Sequence, residues 1–286
     1  MLKMDDATLD RLANEPWYVS SRASQEARFF ACERLIRQAL PCPGKVIDVG
    51  CANGQFSRRL ADFCEKVTGF DINQARIDGN RNDYAGVHNL SFVAENFLTA
   101  ELPSASADLV VALEVLYYFS AEERLRFLQQ VKRVLRPGGV LLVSANVFFT
   151  ALGTSEELQN YMAALGPVEG KEEVYRNWYY RLELPLIRLL DEISYLEKLR
   201  IFAPNILYVK KRFYPGCWNR WLLGSGSWMD RLALPALRRI IMGFLESRFL
   251  YRLVTGSARL LAPDSTRSQV ICLVRKPLQK ESESGC

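Results

Sequence analysis

Five short runs of aliphatic and β-branched residues alternate with helix-length segments in the first half of the chain. The runs are Lys45–Val49, Lys66–Asp71, Leu90–Ala94, Asp108–Leu113 and Val140–Ala145. Such alternation is typical of strands joined by crossover helices. It predicts an α/β fold with a doubly wound, mostly parallel sheet that is covered on both faces. A last apolar run, Gln269–Val274, predicts a strand that returns to this sheet.

The segment after Asn146 has a different pattern, in which aromatic and basic residues dominate and prolines interrupt the chain. We interpret it as a helix-rich insertion before the last strand. Within it, four apolar residues recur at helical spacing and predict an amphipathic helix that buries them. These are Leu237, Ile240, Ile241 and Phe244.

Composition and motif content exclude several classes of protein. With 49% hydrophobic and 24% charged residues, the chain resembles a globular protein. It has no run of roughly 18 apolar residues that could span a membrane, and its first residues lack the apolar stretch of a secretory signal. The seven cysteines include no Cys-x-x-Cys pair, which favours reduced thiols and a cytoplasmic location. Since His88 is the single histidine, we exclude a multi-histidine metal centre and expect no metal.

The net charge of +5 is concentrated in the insertion. Residues 200–262 contain eleven basic and two acidic residues, a net charge of +9. This excess favours an anionic partner. The basic segment could be a lid packed on the core, or it could contact an anionic membrane or a lipid-linked substrate. Nucleic acid is disfavoured, because no known nucleic-acid-binding module is visible.

The most informative motif is a buried strand that runs into a glycine turn and then a helix, from Val46 to Phe56. A dinucleotide-binding turn needs a further glycine where Ala52 stands, so that a pyrophosphate can approach the backbone. Asp48, two positions before Gly50, would repel a pyrophosphate but suits a ligand with a cationic amino group. The motif therefore predicts a cofactor site and argues against NAD.

The next two predicted strands also end in polar residues. Asp71 follows the glycine turn by about 20 residues, the position at which a carboxylate can hold a ribose diol. Ile72 could cover an adenine face. Glu95 and Asn96 follow the third strand and could recognise the adenine edge.

These landmarks resemble, in order and spacing, the class I S-adenosylmethionine (SAM)-dependent methyltransferase family over about residues 40–147. The resemblance implies a Rossmann-like, seven-stranded-type sheet, SAM as cofactor and S-adenosylhomocysteine (SAH) as product. It also implies a set of cofactor-binding residues. These are Asp48, Gly50, Cys51, Ala52, Asn53, Gly54, Asp71, Ile72, Glu95, Asn96, Phe97 and Leu113.

The acceptor side departs from many small-molecule members of the family, which have a Glu-His pair after the fourth strand. Here the chain reads Glu114-Val115-Leu116-Tyr117-Tyr118-Phe119, so Tyr118 replaces the histidine. We therefore take Tyr118, Glu114 and Tyr117 as the catalytic candidates. This pattern, together with Glu15-Pro16-Trp17-Tyr18 and Arg22, is similar to the nodulation-factor N-methyltransferases, which act on an amino sugar. That similarity implies that Tyr18 and Arg22 close over SAM.

The sequence thus predicts methyl transfer from SAM to an amine or hydroxyl of a small molecule or sugar. The alternatives are a lipid-linked or membrane-associated acceptor, with the protein peripheral at the membrane, and an inactive SAM-binding partner protein. A homodimer stays open. We expect residues 1–40 to form a helical lid, 41–147 the SAM-binding core, 148–266 the substrate-binding insertion, 267–278 the final strand and 279–286 a tail.

Overall fold

The computed structural model describes residues 22–146, 155–173, 182–183, 185–187, 189–190, 234–261 and 269–278. Its helices are α1 (Ala23–Ala39), α2 (Gln55–Leu60), α3 (Gln74–Asp83), α4 (Ala121–Val134), α5 (Ser155–Ala163), α6 (Leu234–Glu246) and α7 (Arg248–Leu261). Its strands are β1 (Lys45–Val49), β2 (Lys66–Asp71), β3 (Leu90–Ala94), β4 (Ala107–Leu113), β5 (Leu135–Asn146), β6 (Val168–Glu173) and β7 (Gln269–Arg275). A short 3₁₀ turn, Leu116–Tyr118, follows β4.

The strands form one seven-stranded sheet in the order β3-β2-β1-β4-β5-β7-β6. β1 to β5 pair in parallel, whereas β7 runs antiparallel to both of its neighbours. The carboxyl ends of β1 to β5 therefore meet at one edge of the sheet, and β7 begins at that same edge. This arrangement confirms the predicted mostly parallel α/β sheet.

The central strand β4 is apolar from Leu109 to Leu113 because both faces of the sheet are covered. On one face Val110 and Ala112 pack in a cluster with residues of α4. On the other, Leu109 and Val111 belong to a cluster that includes residues of α1 and α2. The core therefore lies in two layers about the strands whose ends carry the predicted site.

Helix α4 begins where the sequence predicts, because Ser120 and Glu123 form a reciprocal capping box. Its inner side carries Phe127 and Val131, both fully buried. The helical spacing of Leu125, Leu128 and Val131 in the sequence predicts Leu125 on this side as well, but it is 60% exposed. That expectation was wrong because Leu125 lies on the opposite side of the helix from Phe127 and Val131.

The chain divides into two compact units, and the first contains the whole sheet. The described part of the second comprises residues 22–26, the short helical segments within 182–190, and α6 and α7. Its buried apolar cluster contains Ile187, Leu190, Ile241 and Leu245. Leu237 and Ile240, which we expected to face inward, are 38% and 70% exposed. No helix among the described residues has the length and apolar character needed to cross a bilayer. The predicted domain boundaries stay predictions.

Candidate active site

The turn after β1 is built on two glycines with positive φ. Gly50 has φ 71° and Gly54 has φ 69°, a region in which side chains other than glycine are strained. A Cβ on Gly50 would lie 2.7 Å from Val115 Cγ2, and one on Gly54 would lie 2.7 Å from Phe92 Cζ. Both glycines are therefore required by the turn and its packing, whatever the turn binds.

Protein acceptors take up four backbone N–H groups of this turn. Gly50 and Cys51 both donate to the carbonyl of Phe70, at 2.8 and 3.0 Å. Ala52 N–H donates to Asp71 Oδ2 at 3.0 Å, and Gly54 N–H donates to the carbonyl of Cys51 at 2.9 Å. A pyrophosphate-binding turn needs such N–H groups for its ligand. The turn therefore uses these four N–H groups for its own hydrogen bonds.

Asp48 is a buried carboxylate on β1, directly beneath the turn. Ser57 Oγ, on the first turn of α2, donates to Asp48 Oδ2 at 2.5 Å. Burial raises the pKa of Asp48 to about 6, and the nearby charge of Asp71 contributes in the same direction, whereas the Ser57 bond opposes the rise. A cation placed beside this carboxylate would relieve the cost of ionising it.

Asp71, at the end of β2, anchors the turn. Its Oδ2 accepts the Ala52 N–H and its Oδ1 accepts the N–H of Asn73 at 2.9 Å. A carboxylate oxygen can accept more than one hydrogen bond, so both oxygens keep capacity for a diol. The next residue, Ile72, is 51% exposed, an apolar surface that a planar ring could cover.

The predicted adenine-binding residues differ in whether their side chains are exposed to a ligand. Glu95 N–H donates to the carbonyl of Asp71 at 3.1 Å, which ties the ends of β2 and β3 together, and the Glu95 side chain is exposed. Asn96 is exposed, and its Oδ1 accepts the N–H of Leu98 at 3.0 Å. Phe97 is buried, with its ring packed against Phe70 and Phe127. Its side chain therefore belongs to the core.

Of the other predicted cofactor residues, Cys51 belongs to the turn, Leu113 ends β4 and Arg22 belongs to the second unit. Cys51 is buried, and burial raises the pKa of its thiol, so it packs rather than reacts. Leu113 is the last residue of β4 and is half-buried. Arg22 belongs to the second unit, where its Nη2 donates to Gln25 at 2.9 Å and its Nη1 lies 3.4 Å from Glu183. Tyr18 lies outside the described residues.

Two residues of α3 and its C-terminus support the turn and were missing from the sequence prediction. Asn80 Nδ2 donates to the carbonyl of Ala52 at 2.7 Å, and the hydroxyl of Tyr84 donates to the carbonyl of Asn53 at 3.2 Å. Asn80 is buried in a largely polar helix, so no apolar periodicity in the sequence marks it.

A second polar group lies further along the same edge, where β4 and β5 end and β7 begins. Glu114 follows β4 with φ 57°, strained for a residue other than glycine. Ser144 donates to its Oε1 at 2.9 Å, Gln269 Nε2 donates to the same oxygen, and Arg28 Nη1 lies 3.9 Å from it. We call Arg28, Glu114, Ser144 and Gln269 the polar cluster. These three side chains hold the Glu114 carboxylate in place.

The polar cluster contains two buried atoms that lack a hydrogen-bond partner within the described part of the chain. One is a donor, Arg28 Nε, and the other is an acceptor, Gln269 Oε1. Leaving such atoms unpaired is costly. A ligand group that both donates and accepts, such as a hydroxyl or an amine, would satisfy both kinds of atom.

The two tyrosines after Glu114 differ in exposure. Tyr117 is half-buried, and burial with the nearby charge of Glu114 raises the pKa of its hydroxyl well above the usual value, so it stays protonated. Tyr118 is 49% exposed, and the centroid of its ring lies 4.6 Å from the ring centroid of Tyr117. Of the three catalytic candidates, Tyr118 is therefore the one open to an incoming acceptor.

Comparison with known proteins identifies the central part of the chain. Residues 47–143 match the family model described as "Methyltransferase domain". A probable S-adenosylmethionine-dependent methyltransferase of Mycolicibacterium smegmatis is 32% identical over 124 residues, 42% of this chain and 46% of the relative. Nodulation protein S of Rhizobium tropici is 31% identical over 134 residues, 46% of this chain and 54% of the relative. The chain thus spans about half the length of these curated relatives.

Solved structures share the fold. The N-methyltransferase NodS from Bradyrhizobium japonicum, in complex with SAH, superposes with a TM-score of 0.53 at 20% identity, covering 59% of this chain and 89% of NodS. The [4+2]-cyclase SpnF superposes with a TM-score of 0.52 at 19% identity, covering 89% of this chain and 82% of SpnF. Because a cyclase shares the fold, the fold by itself does not decide the reaction.

Proposed function

We propose that the chain is a class I SAM-dependent methyltransferase, with residues 47–143 as its methyltransferase domain, and that it transfers a methyl group from SAM to an amine or hydroxyl of a small molecule or sugar. One observation carries the proposal: the buried Asp48 and the partly exposed Asp71 flank the glycine turn, and the Asp71 carboxylate is bonded to the turn itself. This pair of carboxylates suits a ligand with a cationic amino group and a ribose diol.

The observed side chains fit this cofactor. Asp48 would hold the amino group of its methionine part, Asp71 would accept hydrogen bonds from the ribose hydroxyls, and the exposed Ile72 would cover the adenine. Glu95 would meet the adenine edge, and Leu113 would offer its carbonyl to the amino group. When bound, SAM supplies a methyl group on a positively charged sulfur.

The order of strands supports a position for the acceptor. In this proposal the ribose and adenine would contact the ends of β2 and β3, and the methionine part would contact the end of β1, next to them in the sheet. The next positions along the edge belong to β4, β5 and β7, where the polar cluster lies. We assign this cluster to acceptor binding, with Arg28 Nε donating to the acceptor and Gln269 Oε1 accepting from it.

Methyl transfer from sulfur is an in-line displacement, so the main task of the protein is to orient the acceptor and exclude water. Orientation can contribute roughly 7–11 kcal/mol. An amine needs only to arrive unprotonated, whereas a hydroxyl must lose its proton to a nearby acceptor. Glu114 would fix the positions of Arg28 and Gln269, and Tyr118 would contact the acceptor directly.

Replacing Tyr118 by Phe tests its direct role. We expect turnover to fall about tenfold or more, because the acceptor loses a hydrogen-bonding partner at the reacting end. The Kd for SAH, measured by calorimetry, should stay unchanged. Tyr161→Phe is the matched control, because its hydroxyl bonds to the carbonyl of Arg124 on α4 instead. Equal turnover in both variants would reduce Tyr118 to a packing residue.

Replacing Gln269 by Leu tests the polar cluster. We expect the KM for the acceptor to rise about tenfold, because one hydrogen bond in a buried site is worth roughly 1.5 kcal/mol, whereas the Kd for SAH should not change. Gln130→Leu serves as the control, since Gln130 is also buried but donates to the carbonyls of Phe97 and Ala100. A rise in the SAH Kd with an unchanged acceptor KM would contradict the assignment.

The direct test of the proposed function uses SAM labelled at its methyl group. The protein is incubated with amino sugars, other amines and hydroxylated metabolites, and label transfer is followed by mass spectrometry. Asp71→Ala should abolish transfer. Tight SAH binding with no transfer to any acceptor class would favour the alternative, a SAM-binding protein without transferase activity.

A further inference from the structure

Helices α6 and α7 present large apolar side chains on the surface of the second unit. Ile240 is 70% exposed, Phe249 is 72% exposed and Leu253 is 53% exposed. Four arginines on the same two helices are also exposed: Arg238, Arg239, Arg248 and Arg252. We call these seven residues the arginine–apolar surface.

The exposure follows from apolar residues on more than one side of each helix. Helix α6 buries Ile241 and Leu245, which leaves Ile240 outside. Helix α7 buries Tyr251, whereas Phe249 and Leu253, four residues apart, share a different side. Each of these helices therefore has one apolar side that is buried in its own unit and a second apolar side that is exposed. An exposed apolar side of this kind is typical of a contact surface.

The charge of this surface selects the chemistry of its partner. Residues 234–261 contain five arginines, no lysine and a single acid, Glu246. Arg248 remains 64% exposed even though it lies 3.7 Å from Glu26. Exposed aromatic and aliphatic side chains next to arginines are the signature of helices that lie in the headgroup region of a bilayer. Anionic lipids would attract this surface.

We propose that the arginine–apolar surface binds an anionic lipid bilayer. Ile240, Phe249 and Leu253 enter the boundary between headgroups and acyl chains, and the four arginines contact lipid phosphates. A nucleic acid would leave the three apolar side chains without an apolar partner. A second copy of the chain would bring two surfaces of the same positive charge together. Of these three partners, the bilayer is the one that matches both the apolar side chains and the arginines.

Vesicle co-sedimentation of the full chain tests this proposal. We compare vesicles of phosphatidylcholine with vesicles that also contain phosphatidylglycerol, at low and high salt. Binding should need phosphatidylglycerol and should weaken as salt rises. The pair Phe249→Ser and Leu253→Ser should reduce the fraction bound about tenfold, and Arg238→Gln with Arg239→Gln should reduce it at low salt.

The control carries the same types of change on α4. Leu125 is 60% exposed and the side chain of Arg126 is 58% exposed, so Leu125→Ser with Arg126→Gln should bind vesicles as well as the unchanged protein. SAH binding should be equal in all variants, which separates this proposal from the proposed function.

Two results would overturn the proposal. One is equal sedimentation with neutral and with anionic vesicles, or no sedimentation with either kind. The other is a change of oligomeric state in the Phe249→Ser and Leu253→Ser variant, seen by light scattering, with no vesicle binding by the unchanged protein. That result would make the surface an interface between copies of the chain.

Discussion

Asp71→Ala is expected to weaken SAH binding by more than about 100-fold. The reason is that two hydroxyl groups of a ribose would each lose a hydrogen bond to a charged acceptor, and such bonds are worth roughly 1.5–3 kcal/mol each. Asp83→Ala is the matched control, because Asp83 is an exposed acid at the end of α3. Calorimetric titration with SAH measures the difference, and equal affinity in the two variants would contradict the role given to Asp71.

The sequence suggests that Asp71→Ala leaves the fold intact, but the structure predicts a cost in stability as well. The carboxylate of Asp71 accepts the N–H groups of Ala52 and Asn73, and both would lose their partner. An unsatisfied buried donor costs about 1–3 kcal/mol. Binding must therefore be measured well below the melting temperature of the variant. Asp71→Asn retains one acceptor oxygen and should lose less stability.

The affinity for SAH is expected to rise about tenfold between pH 5 and pH 7.5. Burial raises the pKa of Asp48 to about 6, so roughly a tenth of the molecules carry the charged form at pH 5 and nearly all carry it at pH 7.5. If the charged form holds the amino group of the ligand, affinity follows that fraction. Asp48→Asn should bind more weakly at pH 7.5, and its affinity should vary less with pH over this range. A pH dependence that is the same in both proteins would contradict the role of Asp48.

Without ligand, the free energy of unfolding should depend on pH in the opposite direction: it should fall as the pH rises. The pKa of Asp48 in the folded chain, about 6, exceeds its ordinary value of 3.8, so ionising Asp48 costs more in the folded chain than in the unfolded chain. This loss of stability is absent below pH 3.8 and complete above about pH 6. It amounts to about 3 kcal/mol. Asp48→Asn removes this penalty, so its stability relative to the unchanged protein should improve as the pH rises from 4 to 7. Urea unfolding at both pH values provides the measurement.

The sequence predicts the central strands well because each is buried on both sides. The observed limits of β1, β2 and β3 are those predicted, and β4 begins one residue earlier. The edge strand β6, Val-Glu-Gly-Lys-Glu-Glu, was not predicted, because a strand at a sheet edge can carry alternating polar residues and lacks an apolar signal.

The site is predictable only where its residues follow strands of regular pattern. Asp48 and Asp71 stand at such positions. The partners of Glu114 do not, since Gln269 lies 155 residues away and Arg28 lies on a helix before the sheet. On α6, Ile241 is buried as predicted, but Leu237 and Ile240 were assigned to the inner side wrongly, because apolar residues occupy more than one side of that helix. Periodicity identifies the apolar positions but not which of them the tertiary fold covers.

The most direct test of SAM binding compares SAM, SAH and NAD as ligands of the purified protein by thermal shift and calorimetry. A ligand that binds only the folded state stabilises it by about 2.7 kcal/mol at 100 times its Kd. We expect SAM and SAH to raise the melting temperature and NAD to leave it unchanged. Stabilisation by NAD, or by none of the three, would contradict a SAM site at Asp48 and Asp71.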